Sequence, residues 1–264
     1  MSDQLPTDAE INQVQREFRL YQSESKEIKE LLTNQTDSSR RIEFAETNQW
    51  SGDRKTQAGI TSSAGAIGPM QIMPGHAGKD MGYGVEKFSR QDLNNPRKNI
   101  KTGTQYIKGL ESKIGNRAPI AYNWGPKNEK YNRKWNNATT VAEKKKWKGY
   151  FKKNGDWVDT TKLPEETKQY LKRYKKGGSY KTYVEAEATS AIKRMLHFHV
   201  SFMEKHAVKS LEKRHNIPVS YGEQMVNQQI ELAKKFDKKD VSIKDLEKFN
   251  LLIARQLGSL GLRD

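Results

Sequence analysis

Apolar residues recur every three to four positions over most of the chain, and strict alternation is rare. Ile11, Val14, Phe18, Tyr21 and Ile28 predict a helix over residues 9–33. The stretch Asn34–Ser39 interrupts it. Asp37, Ser38 or Ser39 is placed to cap the following helix, which carries Ile42, Phe44, Ala45 and Glu46. Residues 47–68, rich in Gly, Ser and Thr, predict a long loop, and residues 69–80 a short helical piece stopped near Pro74-Gly75. Asn94-Asn95-Pro96 is a turn that opens a helix with Ile100, Gly103, Ile107 and Leu110 along one face. A further helix begins near Ala118 and stops at Asn123–Pro126. Pro164 suits a first helical position, Glu165 and Glu166 suit the positive end of the helix dipole, and Gly177-Gly178 ends that helix. The last third predicts helices over about 180–215, 220–237 and 242–257, with Pro218 between the first two. Few runs are rich in Val, Ile and Thr, and no Asn-Gly turn joins alternating segments, so the chain is expected to be mostly helical.

Composition narrows the classes. In 264 residues, 30% are charged and 34% hydrophobic, and the mean hydropathy is −0.97, which predicts a modest core and long exposed helices. No apolar run is long enough to span a membrane, and the polar, acidic start MSDQLPTDAE is unlike a secretory leader. With no cysteine, disulfides, thiolate-zinc sites and a Cys nucleophile are excluded. The net charge of +16 points to a polyanionic partner: nucleic acid, anionic lipid or a cell-wall polymer. It is unevenly spread. Residues 141–180 hold twelve Lys/Arg and five Asp/Glu, whereas residues 1–40 hold eight acidic and five basic residues.

The ordered motifs go further. The chain reads Glu46-Thr47, then Gly65-Ala66-Ile67-Gly68-Pro69-Met70-Gln71-Ile72-Met73-Pro74, then Asn99-Ile100 with Gly103. Ala121-Tyr122-Asn123-Trp124-Gly125 follows, and finally Pro164-Glu165-Glu166-Thr167 with Tyr170. This set resembles the soluble lytic transglycosylase (SLT) domain over residues 40–175. The resemblance implies a mainly α, goose-type lysozyme-like domain. Its expected organisation is residues 1–36 as a helical extension, 37–176 as the SLT-like domain and 177–264 as a helical C-terminal region. Two departures stand out. Thr47 replaces the family's Ser, and the interval from Glu46 to Gly65 is longer than usual, which leaves Glu43 as a rival to Glu46.

Cleaving a glycosidic bond requires a proton on the leaving oxygen, and a Glu buried among apolar groups keeps one near neutral pH. The resemblance implies that a single Glu acts twice. It protonates the bond between N-acetylmuramic acid and N-acetylglucosamine, then takes the muramyl C6 hydroxyl proton as a 1,6-anhydro ring closes. Glu46 is assigned that role as general acid, then base. Gln71 and Met73 match family positions lining the sugar cleft, with Met70 placed beside them, and Ser62 matches a serine that contacts sugar. Tyr122 matches the tyrosine whose hydroxyl can hold the catalytic Glu. Asn123 and Trp124 join the substrate-binding set, and Glu166 is a supporting carboxylate. Trp135, Trp147 and Trp157 fit core positions better than sugar platforms.

The five histidines form no metal-ligand spacing, so neither metal nor cofactor is expected. The expected partner is the peptidoglycan glycan strand. Other virion proteins are additional candidates, and nucleic acid is a secondary one, on the Lys144–Lys153 tract with its interleaved aromatics. Two rival functions stay open: a lysozyme-type hydrolase of the same fold, and a non-enzymatic DNA-binding or structural virion protein. Because the substrate lies outside the membrane and no leader is visible, the expected location is a phage virion. From there the enzyme would act on the host periplasm and cell wall during genome delivery. The alternative is delivery by a secretion or conjugation machine.

Overall fold

The computed structural model describes residues 5–47, 60–74, 85, 88–115, 118–124, 165–177, 182–237 and 241–262. Among them are eight α-helices, one short 3-10 turn and no strand beyond two isolated bridges, so the expected mainly helical fold is found. The chain divides into two compact units, Asn34–Thr182 and a second formed by Met1–Thr33 with Tyr183–Asp264.

The first unit contains α2 (Asp37–Glu46), the 3-10 turn Asp92–Asn94, α3 (Pro96–Ile114), α4 (Ala118–Trp124) and α5 (Glu165–Lys176). Helix α2 packs on α3 and α5, α3 on α4, and α4 on α5. Ile42, Ile100, Ile107, Leu110 and Tyr170 fill the space between them and are buried. At about 1.5–3 kcal/mol per buried large apolar side chain, this cluster carries the unit. The cap of α2 differs from the expected Asp37, Ser38 or Ser39. Thr36 occupies it, accepting from the Ser39 amide while Ser39 reaches back to the Thr36 amide. Asn95 caps α3 as its turn position predicted, accepting from the Arg97 and Lys98 amides ahead of Pro96.

The expected helical piece at 69–80 is absent from its described part. Residues 60–74 fold instead as linked turns, with Ile67 bridged to both Thr61 and Ile72. Gly68 at φ +70° and Gln71 at φ +45° turn the chain away from a right-handed helix. Residues 48–59, 75–80 and Pro164, on which parts of the loop and helix expectations fall, lie outside the described residues.

The second unit packs α1 (Asp8–Asn34), α6 (Tyr183–His215), α7 (Val219–Lys234) and α8 (Ile243–Ser259). Val14, Phe18, Tyr21 and Ile28 form the buried stripe of α1, and Tyr21 meets Phe249 edge-on at 5.6 Å. Ser242 caps α8 through a reciprocal bond with Asp245.

One buried polar chain crosses this apolar core. The Gln256 amide donates to the Gln229 backbone carbonyl at 3.0 Å and to its side-chain oxygen at 2.7 Å. Its own oxygen therefore faces His199 Nε2, at 2.5 Å, as an acceptor. That fixes the neutral tautomer with the proton on Nε2. Nδ1 has no hydrogen-bond partner among the described residues, and burial holds the imidazole pKa down to about 4. Below pH ~6.5 the unfolded chain takes up a proton that the folded imidazole refuses. Stability of this unit should therefore fall as pH drops from 6.5 toward 4 and level off below. NMR should show His199 titrating near 4; a midpoint near ~6.5 would contradict this account.

Candidate active site

The site is built around the end of α2. Glu46 is its last residue, where the helix dipole disfavours a negative charge. The residue keeps partial exposure, but its carboxyl is surrounded by protein. Desolvation dominates and pushes its pKa up to about 8. Arg173 opposes the shift and Glu166 reinforces it. A carboxyl of that kind holds its proton at neutral pH.

Glu43, one turn earlier, is in a different setting. It is completely buried, and one of its oxygens accepts from the Gln35 amide at 2.8 Å. Thr47, at the position where the family has Ser, returns both its amide and its hydroxyl to the Glu43 carbonyl, at 3.0 and 2.7 Å, and so closes the helix.

Two tyrosines lie within electrostatic reach of Glu46. Tyr122, from α4, is buried and tilted against Tyr106 at 5.2 Å. Its hydroxyl was expected to hold the Glu. It donates instead to the Met70 carbonyl at 2.9 Å, which leaves its oxygen able only to accept. Tyr170, from α5, is wholly buried, and its hydroxyl has no hydrogen-bond partner among the described residues. The Glu46 charge acts on both phenols, and with desolvation it raises their pKa values well above normal. On α5, Glu166, Tyr170 and Arg173 share a face at i, i+4 and i+7. Glu166 is exposed and stands back from the carboxyl it influences.

The Gly-rich segment is held by one side chain. Asn99, buried in α3, accepts from the Met70 amide at 2.9 Å and donates to the carbonyls of Ile67 and Leu93 at 2.7 and 3.1 Å. Gly68 and Gly103 make room for this arrangement. A Cβ at Gly68 would lie 2.6–3.0 Å from the Asn99 amide, and one at Gly103 2.7–2.8 Å from the Met70 side chain.

The segment's residues then divide. Met70, expected among the substrate-binding residues, is fully buried against Gly103, so its side chain is core. Gln71 and Met73 keep partial exposure, and Gln71 Nε2 donates to the Gly68 carbonyl at 2.9 Å. Ser62 is half-buried, and its hydroxyl accepts from the Ala66 amide at 3.0 Å, a turn-closing role. Asn123 is half-buried on α4, and the Trp124 side chain lies outside the described residues, as do Trp135, Trp147 and Trp157.

Comparison with known families bears on this geometry. Residues 55–148 match the family model of the transglycosylase SLT domain. The match supports a lysozyme-like fold and a lytic transglycosylase-type, peptidoglycan-acting function. It spans Ser62, Met70, Gln71, Met73, Tyr122, Asn123 and Trp124, begins after Glu43 and Glu46, and ends before Glu166 and Arg173. No curated protein and no solved structure matches the chain significantly. No helix among the described residues is long and apolar enough to cross a membrane, and none of their His, Asp and Glu side chains cluster as a metal site.

Sequence reasoning did not single out Arg173, and it placed Asn99 only as part of a motif. The i, i+4, i+7 spacing of Glu166, Tyr170 and Arg173 was the available signal for the former. Replacing Asn99 by Ala strands the Met70 amide and the Leu93 carbonyl and leaves the Ile67 carbonyl only its bond from the Ile72 amide, at a cost of about 2–4 kcal/mol in a denaturant melt. Asn99→Asp should not restore the loss, because a carboxylate cannot donate to the Ile67 and Leu93 carbonyls.

Proposed function

We propose that the protein is a peptidoglycan lytic transglycosylase in which Glu46 serves first as general acid and then as general base. The observation that carries this reading is the Glu46 carboxyl. It is desolvated at the end of α2, with a pKa of about 8, and it lies within electrostatic reach of Tyr122, Tyr170 and Arg173, just ahead in sequence of the segment matched to the SLT family. Glu46 is preferred over Glu43 because Glu43 is sealed in the core with one oxygen bonded by Gln35.

In the first half of the cycle, protonated Glu46 gives its proton to the oxygen between N-acetylmuramic acid and N-acetylglucosamine, and the bond from that oxygen to muramyl C1 breaks. The substrate's own N-acetyl group stabilises charge at C1. In the second half, the Glu46 carboxylate takes the proton of the muramyl C6 hydroxyl. That oxygen closes on C1 to give the 1,6-anhydro product, and Glu46 returns protonated with no water consumed. Gln71, Met73, Asn123 and Trp124 are the residues proposed to contact the glycan, and Glu166 supports the site.

The reading extends to an enzyme carried in a phage particle, where it opens the wall locally during genome delivery. The helical unit made from both ends of the chain would be the part that docks to other virion proteins. Mass spectrometry of purified particles should detect the chain; its confinement to the infected cytoplasm would sink this part.

Purified peptidoglycan should yield anhydro-muramyl ends, whereas reducing ends would indicate a hydrolase of the same fold. Glu46→Gln should abolish product formation, and full-rate digestion by that variant would overturn the assignment. Wild-type activity should fall as pH rises through about 8, where the acid loses its proton. Unfolded, this carboxyl ionises near ~4.3, so its protonated burial costs stability progressively from there up to about 8. Glu46→Gln should therefore raise the melting temperature at pH ~8 and leave it unchanged at pH ~4.

A further inference from the structure

We infer that Arg173 is a positioning residue for the proposed reaction. It ties the end of α2 to α5 and presents a positive charge to the Glu46 carboxyl during the half of the cycle in which that carboxyl is ionised. This inference rests on the assignment of Glu46 and adds a residue that lies outside the family match.

The geometry is specific. Arg173 Nε donates to the Ala45 carbonyl at 3.0 Å, from a half-buried position on α5. That carbonyl belongs to the last turn of α2, whose final carbonyls have no partner within the helix. Ala45 directly precedes Glu46, so the bond fixes the backbone from which the catalytic side chain projects. Gly177, just past the end of α5, comes close enough that an added Cβ would lie 3.0 Å from Arg41 and Phe44 of α2. The two helices are therefore in close register here. The remaining guanidinium N–H groups of Arg173 make no hydrogen bond or ion pair among the described residues.

The electrostatic setting gives the bond a chemical consequence. Among the described residues, the charged groups acting on Glu46 are Arg173 and Glu166, both from α5, and the Glu46 charge acts in turn on Tyr170 of α5 and Tyr122 of α4. Arg173 is the one cation among them. Desolvation alone would keep Glu46 protonated but would make the ionised intermediate state costly. A Glu used twice must be tolerable in both states. Arg173 offsets part of the desolvation and all or part of the repulsion from Glu166, so the carboxylate can persist until the C6 hydroxyl gives up its proton. Tyr122 is poorly placed to do this, since its proton is committed to the Met70 carbonyl.

The test compares full-length wild type, Arg173→Gln and Arg173→Lys on purified peptidoglycan, reading anhydro product against pH together with melting temperature. Arg173→Gln should lower kcat about tenfold or more. It should also move the alkaline limb up by about one pH unit, because the protonated form loses its competitor. Arg173→Lys keeps a charge without the oriented Nε–H; it should hold the limb near wild type and recover part of the rate. Carbon-13 titration of the Glu46 carboxyl gives the same comparison without turnover, with a higher midpoint in the glutamine variant. An unmoved limb and midpoint in Arg173→Gln would overturn the inference. So would equal losses in both variants that simply track their melting temperatures. Glu46→Gln separates the two claims. If that variant stays active, the assignment of Glu46 fails. If it is inactive while Arg173→Gln leaves the profile unmoved, only the role of Arg173 fails.

Discussion

The arrangement of the first unit depends on a single buried amide. Asn99 sits in the first turn of α3 and bonds three backbone groups, the Met70 amide and the Ile67 and Leu93 carbonyls. Residues 60–74 lack a ladder of their own, having only two isolated bridges, so their conformation is imposed from α3. Once Met70 is fixed there, its carbonyl accepts the Tyr122 hydroxyl and its side chain fills the space left by Gly103. The segment, α3 and α4 are thereby coupled through one residue on each. An isolated side-chain amide in a core is costly unless every polar atom is used, and in Asn99 both the oxygen and the NH₂ group are engaged.

Around that frame the chemistry follows from where charge is unwelcome. Glu46 stands at the negative end of α2, is desolvated, and feels the Glu166 charge. All of these favour the protonated acid. A site made only of such influences would release a proton reluctantly and could not hold the resulting carboxylate. Arg173, across the α2–α5 contact, is the counterweight. The two phenols differ as well. Tyr122 gives its proton to Met70, while the fully buried Tyr170 hydroxyl has no hydrogen-bond partner among the described residues. An unsatisfied buried hydroxyl is expensive, and here it lies within electrostatic reach of the proposed acid.

The second unit is held by different means. Its helices pack through aromatic and aliphatic contacts, and one polar chain, Gln229–Gln256–His199, crosses the core with its tautomer dictated by the amide. Its two segments come from opposite ends of the sequence. Helical spacing showed that α1 and the last three helices would each bury a stripe. It carried no information on which stripes would meet, because amphipathic faces are interchangeable partners until shapes are fitted.

The sequence by itself determined the helices, most of their ends and the resemblance of the central motifs to the SLT domain. These depend on local rules: apolar spacing, Asn95-Pro96 as a start signal and Pro218 as a break. It misplaced the cap of α2 by one to three residues, since Thr36 competes with its neighbours on equal terms and only the reciprocal bond with Ser39 decides. It read a helix at 69–80, where a positive φ at Gly68 and Gln71 bends the described chain into turns stabilised from α3. Tertiary structure alone decided that Met70 is core and that the Tyr122 hydroxyl serves Met70. It alone decided that Glu46 is the carboxyl under strain from burial while Glu43 is sealed beside Gln35, and that Arg173 meets the end of α2 from 128 residues away. The reason is physical. A residue's propensity is local, but the energy of a charge or a polar hydrogen depends on what the fold places within a few ångströms of it.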